Sequence, residues 1–477
     1  MRSTGRSLIV VGLSVVASVA LIAQQTASSA GQTGQGAPPA PAQAARATGN
    51  GTRPDDDIKK LVGRLDLDRF KTTLKGLTAF GDRREGTQRN RNAVDWIETQ
   101  LTSFGCADVS RLTYEVPTRG AGSGGNRGAA GGGATGAGAA GGAGAATGAA
   151  GAGTQSPGAA RNAGRIGPPQ GQPSGNAGGS MSFGFRATTG VANAASQPDE
   201  ALRALDSEPV IPGPIPEVYC TKIGTTHPEE MYIVGGHMDG IGYGQAANDD
   251  GSGTTLVMEL ARVLSSPDVT TERTIRFALW NGEEGGLHGA HAYVDQRKDL
   301  QGIENPKGSG KYPEPKWLGM VQHDMMMWDH GMPMLQTNPD GTPKLNAGGQ
   351  PIYAVSREQR PEADVNVEFQ SNSKMADASM KMAFLFKFAN DKYATDYPAS
   401  VGPHMTNTDS EPFQDICPAI SLRENERGAQ IGAGWDPNWH QPTDVFTTYS
   451  DKDFKLGLNA AQTTLAAIAQ LAGAKIK

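Results

Sequence analysis

His237, Asp239, Asp249, Glu283, Glu284, Asp324 and His440 are the side chains through which this chain could do chemistry. Each stands in a loop or where an apolar run ends. The stretch YIVGGHMDGIGYGQAANDDGSG, residues 232–253, shows the pattern best. An apolar run of strand character, Tyr232 to Val234, ends in two glycines and delivers His237 and Asp239. A loop leads on to Asn248, Asp249 and Asp250. Imidazole nitrogens and carboxylate oxygens suit a borderline-soft dication such as zinc, and a catalytic site keeps one coordination position open. Taken singly, each residue has a plainer explanation. A buried histidine or a helix-capping aspartate would account for His237 and Asp250, a solvated loop for Glu283 and Glu284, a helix cap for Asp324 and surface decoration for His440. Their shared placement, in the order His, Asp, Glu-Glu, Asp, His, is what sets them apart.

The flanking elements follow from hydrophobic periodicity. Gly251, Ser252 and Gly253 open a helical segment through Leu264, with Leu256, Leu260, Val263 and Leu264 on one face. Glu217 to Ile223, Met231 to Gly235, Thr274 to Asn281, Trp317 to Gln322 and Pro418 to Arg423 read as strands, and Val109 to Val116 as a first strand. Helical spacing runs from Ile58 to Phe80, Asn92 to Phe104, Glu283 through Gln296 and Met375 to Tyr393. Ser450 and Asp453 form a capping box for a terminal helix. Strands alternating with helices, with polar residues gathered at strand ends, predict an α/β fold. Its mixed, mostly parallel central sheet would be flanked by helices, with the site along one edge.

The 477 residues do not all belong to that domain, because the 64 glycines are concentrated rather than spread. Arg2 and Arg6 precede an apolar run from Leu8 to Ala23, and small residues follow to Ala30, which fits a signal peptide over 1–30. The run is shorter than the ~20 residues of a membrane span, so no stable anchor is expected after cleavage. Residues 31–56 form a leader poor in large apolar groups. Residues 57–118 supply the N-terminal helices and first strand, and 119–200 a Gly/Ala-rich insertion. Such a stretch has too little apolar surface to offset the entropy of ordering. Residues 201–477 hold the main domain. Three cysteines, Cys106, Cys220 and Cys417, allow one bridge at most. A formal charge of −6 gives no footprint for nucleic acid. The combination predicts export to the periplasm or beyond.

GGHMD, AANDDGSG, WNGEEGGLHGA, HDM and WHQPTD, in that order, resemble the co-catalytic zinc aminopeptidase family. That family includes bacterial leucyl aminopeptidases, glutamate carboxypeptidases and the glutaminyl cyclases. The RREGTQRNRNAVDWI segment is similar to its opening loop and helix. The resemblance covers about residues 57–118 and 201–472. It implies a hydrolase acting on peptides with two zinc ions: His237 and Asp324 on one, Glu284 and His440 on the other, Asp249 bridging. Glu283 would be the general base, and Asp239 would orient the His237 imidazole from behind. It also implies a cis Asp249-Asp250 peptide.

One segment departs from the family. Where many members carry a Tyr and a Ser-Asp-His run, PHMTNTDSEPF has Ser410 in place of the histidine, and His404 is the nearest alternative donor for an oxyanion. A carboxypeptidase of the same fold needs cations for the substrate carboxylate, and Arg423 and Arg427 are the candidates. A glutaminyl cyclase would need one zinc. A non-catalytic binding module would use the Gly/Ala insertion as its interaction segment.

Overall fold

The computed structural model describes residues 54–116, 194–329, 333–349, 351–355, 365–403, 408–424 and 436–477. The expected signal peptide, nearly all of the leader and most of the Gly/Ala-rich insertion fall outside them. Strands β1 (Ser110–Tyr114), β2 (Ile215–Lys222), β3 (His227–His237), β4 (Val269–Thr270), β5 (Arg273–Trp280), β6 (Lys316–His323), β7 (Pro333–Leu335), β8 (Tyr353–Val355), β9 (Val365–Phe369), β10 (Ala399–Gly402), β11 (Ala419–Glu424) and β12 (Lys475–Ile476) alternate with nine α-helices among the described residues. The helices are α1 (Pro54–Val62), α2 (Leu67–Thr78), α3 (Gln88–Ser103), α4 (Glu200–Asp206), α5 (Gly251–Leu264), α6 (Glu283–Gly286), α7 (His288–Arg297), α8 (Ala376–Tyr393) and α9 (Asp451–Ala472).

Eight strands form one sheet in the order β1-β2-β5-β3-β6-β11-β9-β10. Its middle, β5, β3, β6 and β11, is parallel, and antiparallel pairings lie on either side. Register places His237 opposite Trp280, Gly236 opposite His323, and Leu422 also opposite His323. Four parallel strands therefore finish almost level. The residues after those ends, at 281–284 and 324, fall in a row along one edge, where ligands of α/β sheets bind.

Alternation along β3 decides the two faces. Val234 joins a core built with α1, α2, α3, α5, α8 and α9, whereas Met231 and Ile233 join a second core with Tyr293, Trp280, Trp317 and Phe413. Helix α5 is buried along almost its whole length, and Asp250 caps it by accepting from the Gly253 amide at 2.8 Å. The capping box at Ser450 and Asp453 is present as expected. Cys106 and Cys220 form a disulfide that closes a separation of 114 residues around the insertion, and Cys417 is free and buried.

Three expectations need correction. The run from Ile58 to Phe80 is two helices, because Gly63 ends the first and Asp66 caps the second. The segment after Glu283 is likewise broken, at Leu287, whose φ of 60° no α-helix contains. Gln197, within the range expected as insertion, is buried and donates to the Tyr243 and Pro442 carbonyls. The stretch from Met325 to Tyr397, read as irregular before its helix, adds β9 to the sheet and places β7 and β8 in a separate hairpin.

Candidate metal centre

His237 is the last residue of β3, and Asp249 and Asp250 lead into α5. Glu283 and Glu284 open α6 just after β5, Asp324 follows β6, and His440 lies in a turn with φ of 56°. The Asp249-Asp250 peptide is cis. Two groups of ligand-type atoms result, His237/Asp249/Asp324 and Asp249/Glu284/His440, and within each the atoms lie inside 4.8 Å of one another. Asp249 belongs to both. Its Oδ1 lies 3.4 Å from His237 Nε2 and its Oδ2 lies 2.7 Å from His440 Nε2. Asp324 Oδ1 is 3.8 Å from His237 Nε2, and Glu284 Oε2 is 3.1 Å from His440 Nε2.

Positive charge is what this arrangement calls for. Burial alone would lower the imidazole pKa values, yet Glu283 and Asp250 hold His237 well above its ordinary value, and Glu284 and Asp249 raise His440 to about 10. Burial would raise the Asp249 carboxyl, and His440 with His237 outweighs it and drives the pKa far down. Burial pushes Glu284 up to about 7. A dication would satisfy the same carboxylates that otherwise hold protons on the imidazoles. His237 Nε2, Asp249 Oδ2 and Glu284 Oε1 are also sealed from solvent without a hydrogen bond of good geometry among the described residues. Two imidazoles and three carboxylates form a donor set that zinc accepts, so the residues fit the ion that the sequence resemblance implies.

Glu283 belongs to neither group. Its Oε2 stands 3.9 Å from His237 Nε2, and burial, opposed by His237 and reinforced by Glu284, lifts its carboxyl well above the usual range. His237 Nδ1 lies 3.2 Å from the Asp239 backbone carbonyl and 3.7 Å from its carboxylate, which accepts from the Glu283 amide at 3.2 Å. One residue thus sets the imidazole through its main chain and the Glu283 turn through its side chain. Arg423, a candidate to hold a substrate carboxylate, is 4% exposed and donates to Asp324 Oδ2 at 2.7 Å. His404 and Arg427 lie outside the described residues.

Sequence reading missed a second layer. Arg83 is fully buried with four donations to backbone carbonyls, and Asp444 accepts from three successive amides. Asn248 donates to Glu424 and Asp436, and Tyr449 to Asp436 and Asp444. The doublet Arg83-Arg84 and the aspartate in WHQPTD carried no periodic signal that could have marked them.

Comparison with known proteins agrees with this geometry. The chain is 40% identical over 75 residues to Aminopeptidase YwaD of Bacillus subtilis (strain 168), which is 16% of each chain. It is 28% identical over 247 residues to the "Probable lipoprotein aminopeptidase LpqL" of Mycobacterium tuberculosis (strain ATCC 25618 / H37Rv), 50% of this chain and 42% of that one. It is 36% identical over 83 residues to Carboxypeptidase Q of Xenopus laevis, covering 17% of this chain and 18% of that protein. These matches span less than half the length of each curated relative. In fold the chain is similar to the Legionella pneumophila LapA aminopeptidase, with a TM-score of 0.50 at 14% identity over 89% of this chain and 76% of that one. The profile of Peptidase family M28 matches residues 218–463, just over half the sequence and the span that holds every ligand-type residue described above, and the chain belongs to that family.

Proposed function

We propose that the protein is an exported, zinc-dependent aminopeptidase that removes N-terminal residues from peptides. The observation that carries the reading is the pair of ligand groups joined through Asp249. His237 and Asp324 would hold one zinc ion, Glu284 and His440 a second, with Asp249 between them. Bound zinc would supply Lewis acidity, polarising the scissile carbonyl and lowering the pKa of water. Glu283, outside both groups and beside His237, accepts the proton of the attacking water and delivers it to the leaving amine nitrogen. Asp239 keeps Glu283 and the His237 ring in place, and Arg423 fixes Asp324.

Aminopeptidase names among the relatives support attack at the N-terminus, and the engagement of Arg423 with Asp324 removes one of the two cations a carboxypeptidase would have used. The Cys106–Cys220 disulfide supports an oxidising compartment, as does the N-terminal segment. No helix among the described residues is long and apolar enough to cross a membrane.

The test is digestion of one peptide in free and N-acetylated forms, with and without a chelator, followed by mass spectrometry. Stepwise loss from the free N-terminus that the chelator stops supports the reading. Loss from the C-terminus, or equal cleavage of the acetylated peptide, overturns it.

A further inference from the structure

The loop from Met238 to Asn248 joins the end of β3, which carries His237, to Asp249, and its backbone is under strain. Tyr243 and Ala246 both sit at positive φ, 66° and 45°, where side chains crowd the backbone. Gly242, at φ of 103°, is pressed so closely against the His440–Gln441 backbone that a Cβ there would lie 2.5 Å from the His440 carbonyl carbon. At Gly244 a Cβ would lie 2.7 Å from the Asp444 carbonyl oxygen. A loop of this shape persists only if its surroundings hold it.

Two buried polar side chains do so from opposite ends of the chain. The Arg83 guanidinium donates from Nε to the Met238 carbonyl at 2.6 Å, from Nη1 to Gln245 at 2.7 Å and from Nη2 to Ala246 at 2.8 Å. A further bond from Nη1 reaches its own loop at Gly81, 2.8 Å away. Asp444 takes the amides that follow: Oδ1 accepts from Ala247 at 3.0 Å and Asn248 at 2.9 Å, Oδ2 from Asp249 at 3.2 Å, and its backbone carbonyl from Gln245 at 2.7 Å. Arg83 holds the carbonyls of 238, 245 and 246, and Asp444 holds the amides of 245, 247, 248 and 249. Tyr449 donates to Asp444 Oδ1 at 2.8 Å and fixes the carboxylate in turn. Because Arg83 lies ahead of residues 218–463, this contact makes the loop between α2 and α3 part of the site.

We infer that Arg83 and Asp444 are positioning residues that set the spacing between His237 and Asp249, and through it the affinity of the site for zinc. The inference depends on the zinc site proposed above. Partners of metal ligands typically govern affinity by 10- to 100-fold, and a residue acting through loop shape has the same reach here.

The test measures zinc affinity of the full chain by competition with a chromophoric chelator, for wild type, Asp444→Asn, Arg83→Lys and Tyr449→Phe. Arg111→Ala, which removes a surface ion pair with Asp95 and Glu98, is the control. Asp444→Asn preserves the shape of the side chain but turns one acceptor into a donor facing amide hydrogens, so it disturbs the brace without opening a cavity. Roughly 10- to 100-fold weaker zinc binding in Asp444→Asn and Arg83→Lys, a smaller shift in Tyr449→Phe, and kcat restored at saturating zinc support the inference. Melting of the metal-free proteins is read alongside. Lower midpoints with wild-type zinc affinity mean a purely structural role and overturn the inference. Wild-type protein that takes up no zinc fails the proposed site itself, a result distinct from wild-type uptake with unaltered variants.

Discussion

Glu283 and Glu284 are adjacent, the same residue type and both part of the α6 turn, yet their replacement by glutamine should give opposite phenotypes. Glu284 Oε2 is 3.1 Å from His440 Nε2 and belongs to a ligand group, whereas Glu283 Oε2 faces His237 at 3.9 Å from outside both groups. Glutamine matches glutamate in volume, and the Asp239 carboxylate grips the turn through the backbone amide of Glu283 at 3.2 Å, which the substitution leaves intact. Glu283→Gln should therefore keep its zinc and its KM and lose the proton transfer alone. A positioned general base is worth about 10²- to 10⁴-fold, which corresponds to roughly 2.7 to 5.4 kcal/mol on the barrier. Glu284→Gln should lose zinc affinity first, with part of its turnover recovered as zinc is raised. Both variants are assayed for kcat and KM on one peptide, and for bound zinc after dialysis against a graded chelator. If Glu283→Gln turns over within about tenfold of wild type, or sheds zinc as readily as Glu284→Gln, the division of roles argued here is refuted.

Three further expectations follow from the same structure. The Cys106–Cys220 bridge closes a separation of 114 residues, for which loop-closure entropy gives about 4.8 kcal/mol. Replacing both cysteines by serine should lower the urea-unfolding free energy by ~3 to 5 kcal/mol, and a loss below ~1 kcal/mol would show that the bridge restrains little. Arg423→Gln strands a buried Asp324 carboxylate, which costs about 3 to 5 kcal/mol when one partner of such a pair is removed. A cation on Asp324 replaces part of the lost charge, so destabilisation measured in chelator should exceed that measured in zinc, and equal losses would separate Asp324 from the metal. Burial pushes the Cys417 thiol up to about 12, so it should stay silent to a thiol reagent at pH 8 in the native protein and react once unfolded. Rapid native labelling would contradict its burial.

The candidate ligands were legible in the sequence and the groups that brace them were not, and the difference has a physical cause. His237, Glu284 and Asp324 follow closely on apolar strands of β period, and the register of four parallel strands brings their ends level, so the pattern that predicts the strands also places these ligands. Arg83, Asp239 and Asp444 act on the backbone. The acceptor for Arg83 Nε is the carbonyl of Met238, 155 residues away, and a carbonyl has no residue type to pattern. The same holds for the Asp239 carbonyl, 3.2 Å from His237 Nδ1. Arg423 was misjudged for a related reason. It lies on β11, parallel to β6, and its proximity to Asp324 appears only once Leu422 is paired with His323. An ion accepts only a few side-chain types, so candidate ligands stand out by residue type. The braces meet main-chain groups that every residue offers, and many sequences can supply them, which is why the loop at 238–248 needs the fold before its supports become visible.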